Sequence, residues 1–306
     1  MSVRRTPHTV TQWVIFAAVT LLVTALVLVF ARQTAALAAE SDVSADGPEV
    51  DGPDADPDTE FPEETPESEL LDDALDTASP GEIPATDTGG KPTPSRQSLD
   101  LSELSKRELF ANVALTQGVF GGVLVAAAWW TGVPASALGI EWTAASVGLE
   151  AVAFGAGVGV ALYVANAAAA IGLERIGVGF DELLRELLAP DSAREWAVLL
   201  LFVLPTVALF EELLFRAALI GALSTGFGVS PWLLAVLSSV AFGLGHGLQG
   251  PGGILVTGVL GFVLAAVFIL TGSLLVVVVA HYVINAAEFV VHEGLGIDPR
   301  ETLGSK

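Results

Sequence analysis

The sequence predicts an all-α, polytopic membrane protein: a transmembrane helix bundle of about seven spanning helices, with a disordered acidic segment after the first. Three observations support this fold class. The 306 residues are 52% hydrophobic, which is too apolar for an ordinary soluble protein. Apolar runs of helical length recur along the chain. The net charge of −22 comes mostly from one segment, because twenty of the thirty-five acidic residues lie between Glu40 and Glu103.

The first apolar run, residues 13–31, is long enough at about 1.5 Å per residue to cross a hydrocarbon core of roughly 30 Å. It follows the basic start MSVRRTPH and is longer than the apolar region of a cleaved signal. We therefore predict a retained helix, although the sequence ALA at 36–38 leaves cleavage as an alternative. Residues 1–39 are assigned to this basic tail and transmembrane anchor.

Residues 40–105 are predicted to form a disordered acidic linker. They are rich in Asp, Glu, Pro, Ser and Thr and poor in large apolar side chains. Such a segment cannot bury enough surface to offset the entropy lost on ordering. The scarcity of lysine beside abundant carboxylates resembles proteins of extreme halophiles, so we expect a halophilic source.

Residues 106–295 are predicted to be a helical bundle in the cell membrane, followed by a C-terminal tail at 296–306. Between its second and third spans, VGFDELLRELLAP spaces its leucines as a short amphipathic helix does. Ser192 and Glu195 have the spacing of a capping box at the start of the next span. The second span of this bundle is dense in Gly and Ala, which lets helices approach closely. Its six spans are predicted at 108–130, 143–172, 195–219, 231–248, 253–271 and 273–292.

The orientation in the membrane remains open at this point. Arg4 and Arg5 would place the amino terminus in the cytoplasm. The basic residues of the bundle would then lie outside, against the positive-inside tendency: Lys106, Arg107, Arg175, Arg185 and Arg194.

The stretch FEELLFRAAL, residues 210–219, places three charged side chains in an otherwise apolar span. Charges near the middle of a membrane cost about 2.5–3.5 kcal/mol on insertion scales, so they are usually paired or functional. Glu212 and Arg216 are four residues apart and can neutralise each other. Glu211 lies about 100° away around the helix, which should give it different surroundings. It has no partner on its own helix, as suits a general base.

Two later spans carry the other buried polar residues. FGLGH places Phe242 four residues before His246, and HYVIN places His281 four residues before Asn285. Each could be structural: a histidine satisfied in the core, an asparagine that joins helices, or an ion pair that orients them. Together on three helices, with Glu211, they indicate a functional site. By contrast, two further polar residues of the last span are predicted to be interfacial: Glu288 and His292.

These stretches have the form EExxxR, FxxxH and HxxxN, in that order along the chain. The pattern resembles the CAAX prenyl protease and bacteriocin-processing family of intramembrane proteases, to which the type II CAAX endopeptidase belongs. The resemblance covers roughly residues 108–295. It implies hydrolysis of peptide bonds in a cavity within the membrane.

The resemblance also implies roles for the motif residues. Glu211 would activate a water molecule with help from His246, while His281 and Asn285 would bind the oxyanion of the tetrahedral intermediate. The remaining motif residues would support the site or pack beside it: Glu212, Arg216 and Phe242. The expected substrate is a membrane-associated or lipidated peptide or protein, in contact with membrane lipid and without a nucleic-acid partner.

The role of a metal stays open in the sequence. Glu211, His246 and His281 would form a His₂Glu set with a free position, as in catalytic zinc sites. A metal-free mechanism uses the same residues, and of the two we favour it. The chain has no cysteine, so a thiolate nucleophile is excluded. A different class of function is a non-catalytic membrane scaffold or transporter that retains buried polar residues.

One geometric difficulty accompanies the predicted site. If the spans at 195–219 and 231–248 are straight antiparallel helices joined near Gly226, Glu211 and His246 differ in depth by about 8–12 Å. A kink at Pro205, or a start of the 231–248 span that lies deeper in the membrane than predicted, would shorten this gap.

Overall fold

The computed structural model describes residues 10–45, 105–177 and 183–297. Contacts between Cα atoms divide the chain into one unit of Met1–Glu40 with Asp100–Lys306 and a second unit of Ser41–Leu99. Almost all of the second unit, most of the predicted acidic linker and most of the predicted tail lie outside the described residues. The first helix continues to Ala45, six residues into the segment predicted to be disordered.

Within the described ranges the protein is all helical, as predicted. In the part of the chain that the structure describes, six helices are long and apolar enough to cross a membrane, and Pro231–Gly245 is a shorter apolar helix of 15 residues. This confirms a multi-pass membrane protein with six to seven apolar helices. The helices are α1 Val10–Ala45, α2 Lys106–Thr131, α3 Leu149–Glu174, α4 Leu183–Leu187, α5 Ala193–Phe227, α6 Pro231–Gly245, α7 Gly250–Thr271 and α8 Leu274–Phe289.

Side chains cap the starts of helices α2 and α5. Ser105 and Glu108 form a reciprocal capping box at the start of α2. At the start of α5, the Ser192 hydroxyl accepts a hydrogen bond from the Glu195 amide at 3.3 Å, as predicted. The Glu195 carboxylate instead accepts from the Asp191 amide at 2.9 Å, so the predicted box is only half formed.

Helix α5 is irregular and longer than predicted. Two π-helical segments, Leu199–Val203 and Leu213–Ala222, lie on either side of the α-helical segment Leu204–Glu212. Pro205 is in the first turn of that segment, where a residue without an N–H disturbs the normal ladder of bonds. The helix continues to Phe227 instead of ending at residue 219.

Two glycines explain why α5 does not end where its sequence suggests. A Cβ atom on Gly221 would lie 2.3 Å from the Ala137 carbonyl oxygen, and one on Gly226 would lie 2.5 Å from the Trp13 ring. These glycines therefore permit close contacts with neighbouring segments and do not terminate the helix. The turn comes at Gly228, which has the left-handed backbone conformation that glycine favours (φ 67°).

Glycines also bring α3 close to α8. A Cβ atom on Gly155 would lie 2.5 Å from the Val276 carbonyl oxygen, and one on Gly159 would lie 2.7 Å from that of Ala280. The predicted role of small residues in this span is confirmed. The helix itself begins at Leu149 and not at residue 143, because the chain breaks from helical geometry at Gly148.

Helices α2 and α5 lie side by side in the same direction. In their N-terminal halves, Phe110 and Val203 belong to one buried apolar cluster. Further along, the rings of Phe120 and Phe210 stack with centroids 6.1 Å apart. Helix α1 also contributes to the apolar core, with Phe16 buried in it. The predicted amphipathic helix is present as the short α4.

Candidate active site

A cavity of about 400 Å³ lies between the helices of the bundle. Its walls combine apolar side chains of α2, α3, α5, α7 and α8 with polar side chains. All four residues predicted to be catalytic line it: Glu211, His246, His281 and Asn285. Other polar residues on its walls are Gln117, Asn166, Arg185, Gln249, Thr257, Glu288 and His292.

Glu212 is fully buried behind this cavity and joins three helices. Its Oε1 atom accepts a hydrogen bond from Arg216 Nη1 at 2.8 Å, so the predicted pair is present. The same oxygen accepts from His281 Nδ1 at 2.7 Å. Arg216 Nη2 donates to the Gly261 carbonyl of α7 at 2.9 Å, and its guanidinium lies 4.5 Å from the centre of the Phe242 ring. The ion pair is thus part of a connected network and is not isolated.

The His281 ring lies between two carboxylates. Its Nδ1 contacts Glu212, and its Nε2 is 3.6 Å from Glu211 Oε2. Because the Glu212 carboxylate bonded to Arg216 acts as an acceptor, the proton on this side belongs to Nδ1. Nε2 then carries a proton only when the ring is an imidazolium. The prediction that the adjacent glutamates have different surroundings holds for their burial, but one imidazole contacts both.

His246 ends helix α6, where its backbone caps the last turn. Its Nδ1 lies 2.8 Å from the Phe242 carbonyl oxygen, which can only accept a hydrogen bond, so Nδ1 carries the proton. In the neutral ring, Nε2 is therefore left as an acceptor. The Phe242 ring packs between the histidines, with centroids 4.7 Å from His246 and 5.9 Å from His281.

The predicted difference in depth between Glu211 and His246 disappears in the structure. The turn between α5 and α6 lies at residues 228–230, later than Gly226. Sixteen residues separate Glu211 from the end of α5 at Phe227, and fifteen separate the start of α6 at Pro231 from His246. At about 1.5 Å per residue the two positions differ by only about 1.5 Å along straight helices. The longer α5, and not a deeper start of α6, removes the gap.

The three candidate metal ligands do not converge on one point in the structure. Within residues 10–45, 105–177 and 183–297, no three His, Asp or Glu side chains are placed to hold a metal ion together. Glu211, His246 and His281 line one cavity, but they do not converge on a common point as zinc ligands do. The arrangement therefore does not fit the candidate His₂Glu metal site.

A second polar group lies at the rim of the same cavity, near the ends of α3 and α8. Glu288 accepts a hydrogen bond from Asn166 Nδ2 at 2.9 Å, and His292 Nε2 lies 3.2 Å from its other oxygen. Arg185 of α4 pairs with Glu293 at 3.5 Å. The sequence placed Glu288 and His292 at the membrane interface, and in the structure both line the cavity. It did not single out Asn166 or Gln117, although a polar residue in an apolar span was a usable signal.

The fold and this cavity define a polytopic helical membrane protein with a buried site of glutamate, histidine and asparagine. Residues 193–287, which are 95 of the 306 residues, match the family model described as "Type II CAAX prenyl endopeptidase Rce1-like". The match supports, over these residues, the resemblance to the CAAX prenyl protease and bacteriocin-processing family that the three motifs indicated. No curated protein and no solved structure gives a significant match. The match over this region supports a protease.

Proposed function

We propose that the protein is an intramembrane endopeptidase that hydrolyses peptide bonds with a water molecule activated by glutamate and histidine. One observation carries the proposal: Glu211 faces the cavity with Oε2 buried and without a hydrogen-bond partner, between the elements that carry His246 and His281. A buried carboxylate oxygen without a hydrogen bond is costly to the fold, so its retention favours a chemical role.

Glu211 acts as the general base in this mechanism. It removes a proton from a water molecule in the cavity, and the resulting hydroxide attacks the carbonyl carbon of the substrate. The neutral His246 ring offers Nε2 as a second acceptor, which orients the same water. The protonated Glu211 then gives its proton to the leaving amine, so the carboxylate is restored after each cycle.

His281 and Asn285 stabilise the negative oxygen that forms on the attacked carbonyl. They lie four residues apart on α8, hence on one face, and both line the cavity. His281 donates through Nε2 when its ring is an imidazolium, with the Glu212 and Glu211 carboxylates on either side of it. Asn285 donates through its amide. Donors held in place in this way typically contribute about 2.7–4 kcal/mol each to catalysis.

Glu212, Arg216 and Phe242 act through the residues that they position. Glu212 holds the His281 ring by Nδ1, as the aspartate does in a serine protease triad. Arg216 neutralises Glu212, and Phe242 keeps the two imidazoles apart. No step of this mechanism requires a metal ion.

Replacing Glu211 with Gln tests the proposal. The amide keeps the size of the side chain but cannot take a proton, so hydrolysis should fall by at least about 10²-fold. The matched control is Glu150→Gln, an exposed glutamate on α3. The measurement is cleavage of a library of fluorogenic peptides, with and without a C-terminal lipid, by purified protein in vesicles. Unchanged hydrolysis by Glu211→Gln, or none by the parent protein, would contradict the proposal and favour a scaffold or transporter.

A further inference from the structure

We infer that Gln117 of α2 binds the backbone of the substrate peptide within the cavity. This inference rests on the proposed peptidase function. Gln117 lies outside residues 193–287, which match the family, and outside the three motifs. It would add a binding residue from a helix that the motifs do not include.

Gln117 is placed next to the proposed base. It lines the same cavity as Glu211, together with Val113 of its own helix and Val207 of α5. Because α2 and α5 are parallel and Phe120 stacks on Phe210, Gln117 lies about one helical turn from the level of Glu211. One turn is about 5.4 Å, which an extended peptide covers in one to two residues.

The side-chain oxygen of Gln117 has no hydrogen-bond donor among the residues that the structure describes. Its Oε1 atom is buried, and no hydrogen bond joins this residue's side chain to any other side chain in the part of the chain that the structure describes. A buried acceptor without a donor costs about 1–3 kcal/mol. Two other polar residues of α2 differ from Gln117 in being exposed and in having a partner: Thr116 Oγ1 donates a hydrogen bond to Asn112 Oδ1 at 3.4 Å.

A peptide backbone can supply the hydrogen-bond donor that Gln117 Oε1 lacks. A carboxamide carries one acceptor and two donors, which match the N–H and C=O groups of a peptide unit. An extended substrate in an apolar cavity also needs partners for its own backbone groups, because burying them unpaired is unfavourable. Binding would therefore satisfy Gln117 Oε1 and one substrate N–H at the same time. The interaction depends on no substrate side chain, so it holds the chain without selecting its sequence.

The test combines a protein variant with a substrate variant. Gln117→Leu removes the amide, and Gln117→Met is a second variant of similar length in case the first folds poorly. Asn112→Leu is the matched control, an exposed amide on the same helix. Each is assayed on one fluorogenic peptide and on a set of the same peptide with a single N-methyl group at successive positions. Thermal unfolding checks that each variant is folded.

We expect Gln117→Leu to raise KM roughly 3–10-fold with little change in kcat, because the lost bond forms in both the ground state and the transition state. Asn112→Leu should leave both constants unchanged. In the parent, N-methylation one or two residues from the cleaved bond should weaken binding by a similar factor. In Gln117→Leu this penalty should disappear at that position alone, as coupling between two groups in contact requires.

Two results would overturn the inference: an unchanged KM in folded Gln117→Leu and Gln117→Met, or N-methyl penalties that are equal in parent and variant at every position. These outcomes differ from failure of the proposed function, in which the parent itself would hydrolyse none of the peptides.

Discussion

The Glu212 carboxylate accepts a hydrogen bond from His281 Nδ1 at 2.7 Å, although 69 residues separate the two along the chain. The same carboxylate oxygen bonds Arg216, whose guanidinium reaches the backbone of α7 at Gly261. Glu212 is therefore the point at which α5, α7 and α8 are joined through polar contacts. Because it also orients a proposed catalytic ring, its loss should affect both stability and chemistry.

We predict that Glu212→Gln destabilises the fold by about 3–5 kcal/mol, the usual cost of leaving one partner of a buried ion pair without the other. It should also lower kcat about 10²–10⁴-fold, because the amide no longer fixes the proton on His281 Nδ1. Thermal unfolding and peptide hydrolysis measure the two effects. Glu212→Gln with Arg216→Met removes the unpaired charge, so it should recover stability but not activity. Recovery of both would show that Glu212 has no role beyond the ion pair.

We predict that His246→Gln lowers kcat about 10²–10⁴-fold with little loss of stability. The ring makes one intramolecular hydrogen bond, to the Phe242 carbonyl, which is worth about 1 kcal/mol to the fold. The matched control is His292→Gln, since His292 lines the rim of the same cavity. Equal losses of activity in the two variants would argue that histidine at position 246 contributes only to the general polarity of the cavity.

We predict that Gly159→Ala destabilises the contact between α3 and α8 by about 1–3 kcal/mol. The added Cβ atom would lie 2.7 Å from the Ala280 carbonyl oxygen, so α8 must shift to admit it. Because Ala280 precedes His281, the shift should also reduce hydrolysis. Gly157→Ala is the control, since no atom lies within 4 Å of its added Cβ, and it should be neutral or slightly stabilising. Similar unfolding temperatures for the two variants would contradict this prediction.

We predict that the rim of the cavity faces the cytoplasm. The rim includes Arg185, and further basic side chains lie at neighbouring helix ends: Lys106, Arg107, Arg175 and Arg194. At the opposite end of the described bundle lie the carboxylates Glu141 and Glu150 and the exposed rings Trp129 and Trp142. The positive-inside tendency then favours the rim as the inner side.

The absence of cysteine makes this orientation easy to measure. A single Ser192→Cys should be protected from a membrane-impermeant maleimide in intact cells, and a single Thr143→Cys should react with it. The reverse pattern would place the rim outside and would agree with Arg4 and Arg5 as the cytoplasmic signal.

Much of the fold follows from patterns within single segments. Apolar length predicted the spans, and the spacing of Glu212 and Arg216 predicted their pair. The extent of α5 was not predictable in this way, because Gly221 and Gly226 look like helix ends until the groups packed against them are known. The π-helical segments likewise depend on how α5 packs.

The sequence predicted that the motif residues would meet in one place, but it did not predict how they are connected. The motifs include five of the residues that line the cavity, whereas the bond between Glu212 and His281 joins distant helices and has no local spacing to reveal it. The hydrogen bond between Asn166 and Glu288 likewise joins two helices that are distant along the chain. Such contacts depend on how each helix is rotated relative to its neighbours. A single sequence does not specify this rotation, because the two partners are on different helices and no fixed interval along the chain relates them.

Helix α6 has 15 residues, which at about 1.5 Å per residue extend about 22 Å, less than a hydrocarbon core of roughly 30 Å. A bilayer adapts to such a mismatch by thinning around the short segment. His246 ends this helix, so thinning would bring the headgroups and their water toward it. The length of the lipid acyl chains should therefore affect how much water reaches the site. Lipids with longer tails resist the thinning and so keep the headgroups and their water farther from His246.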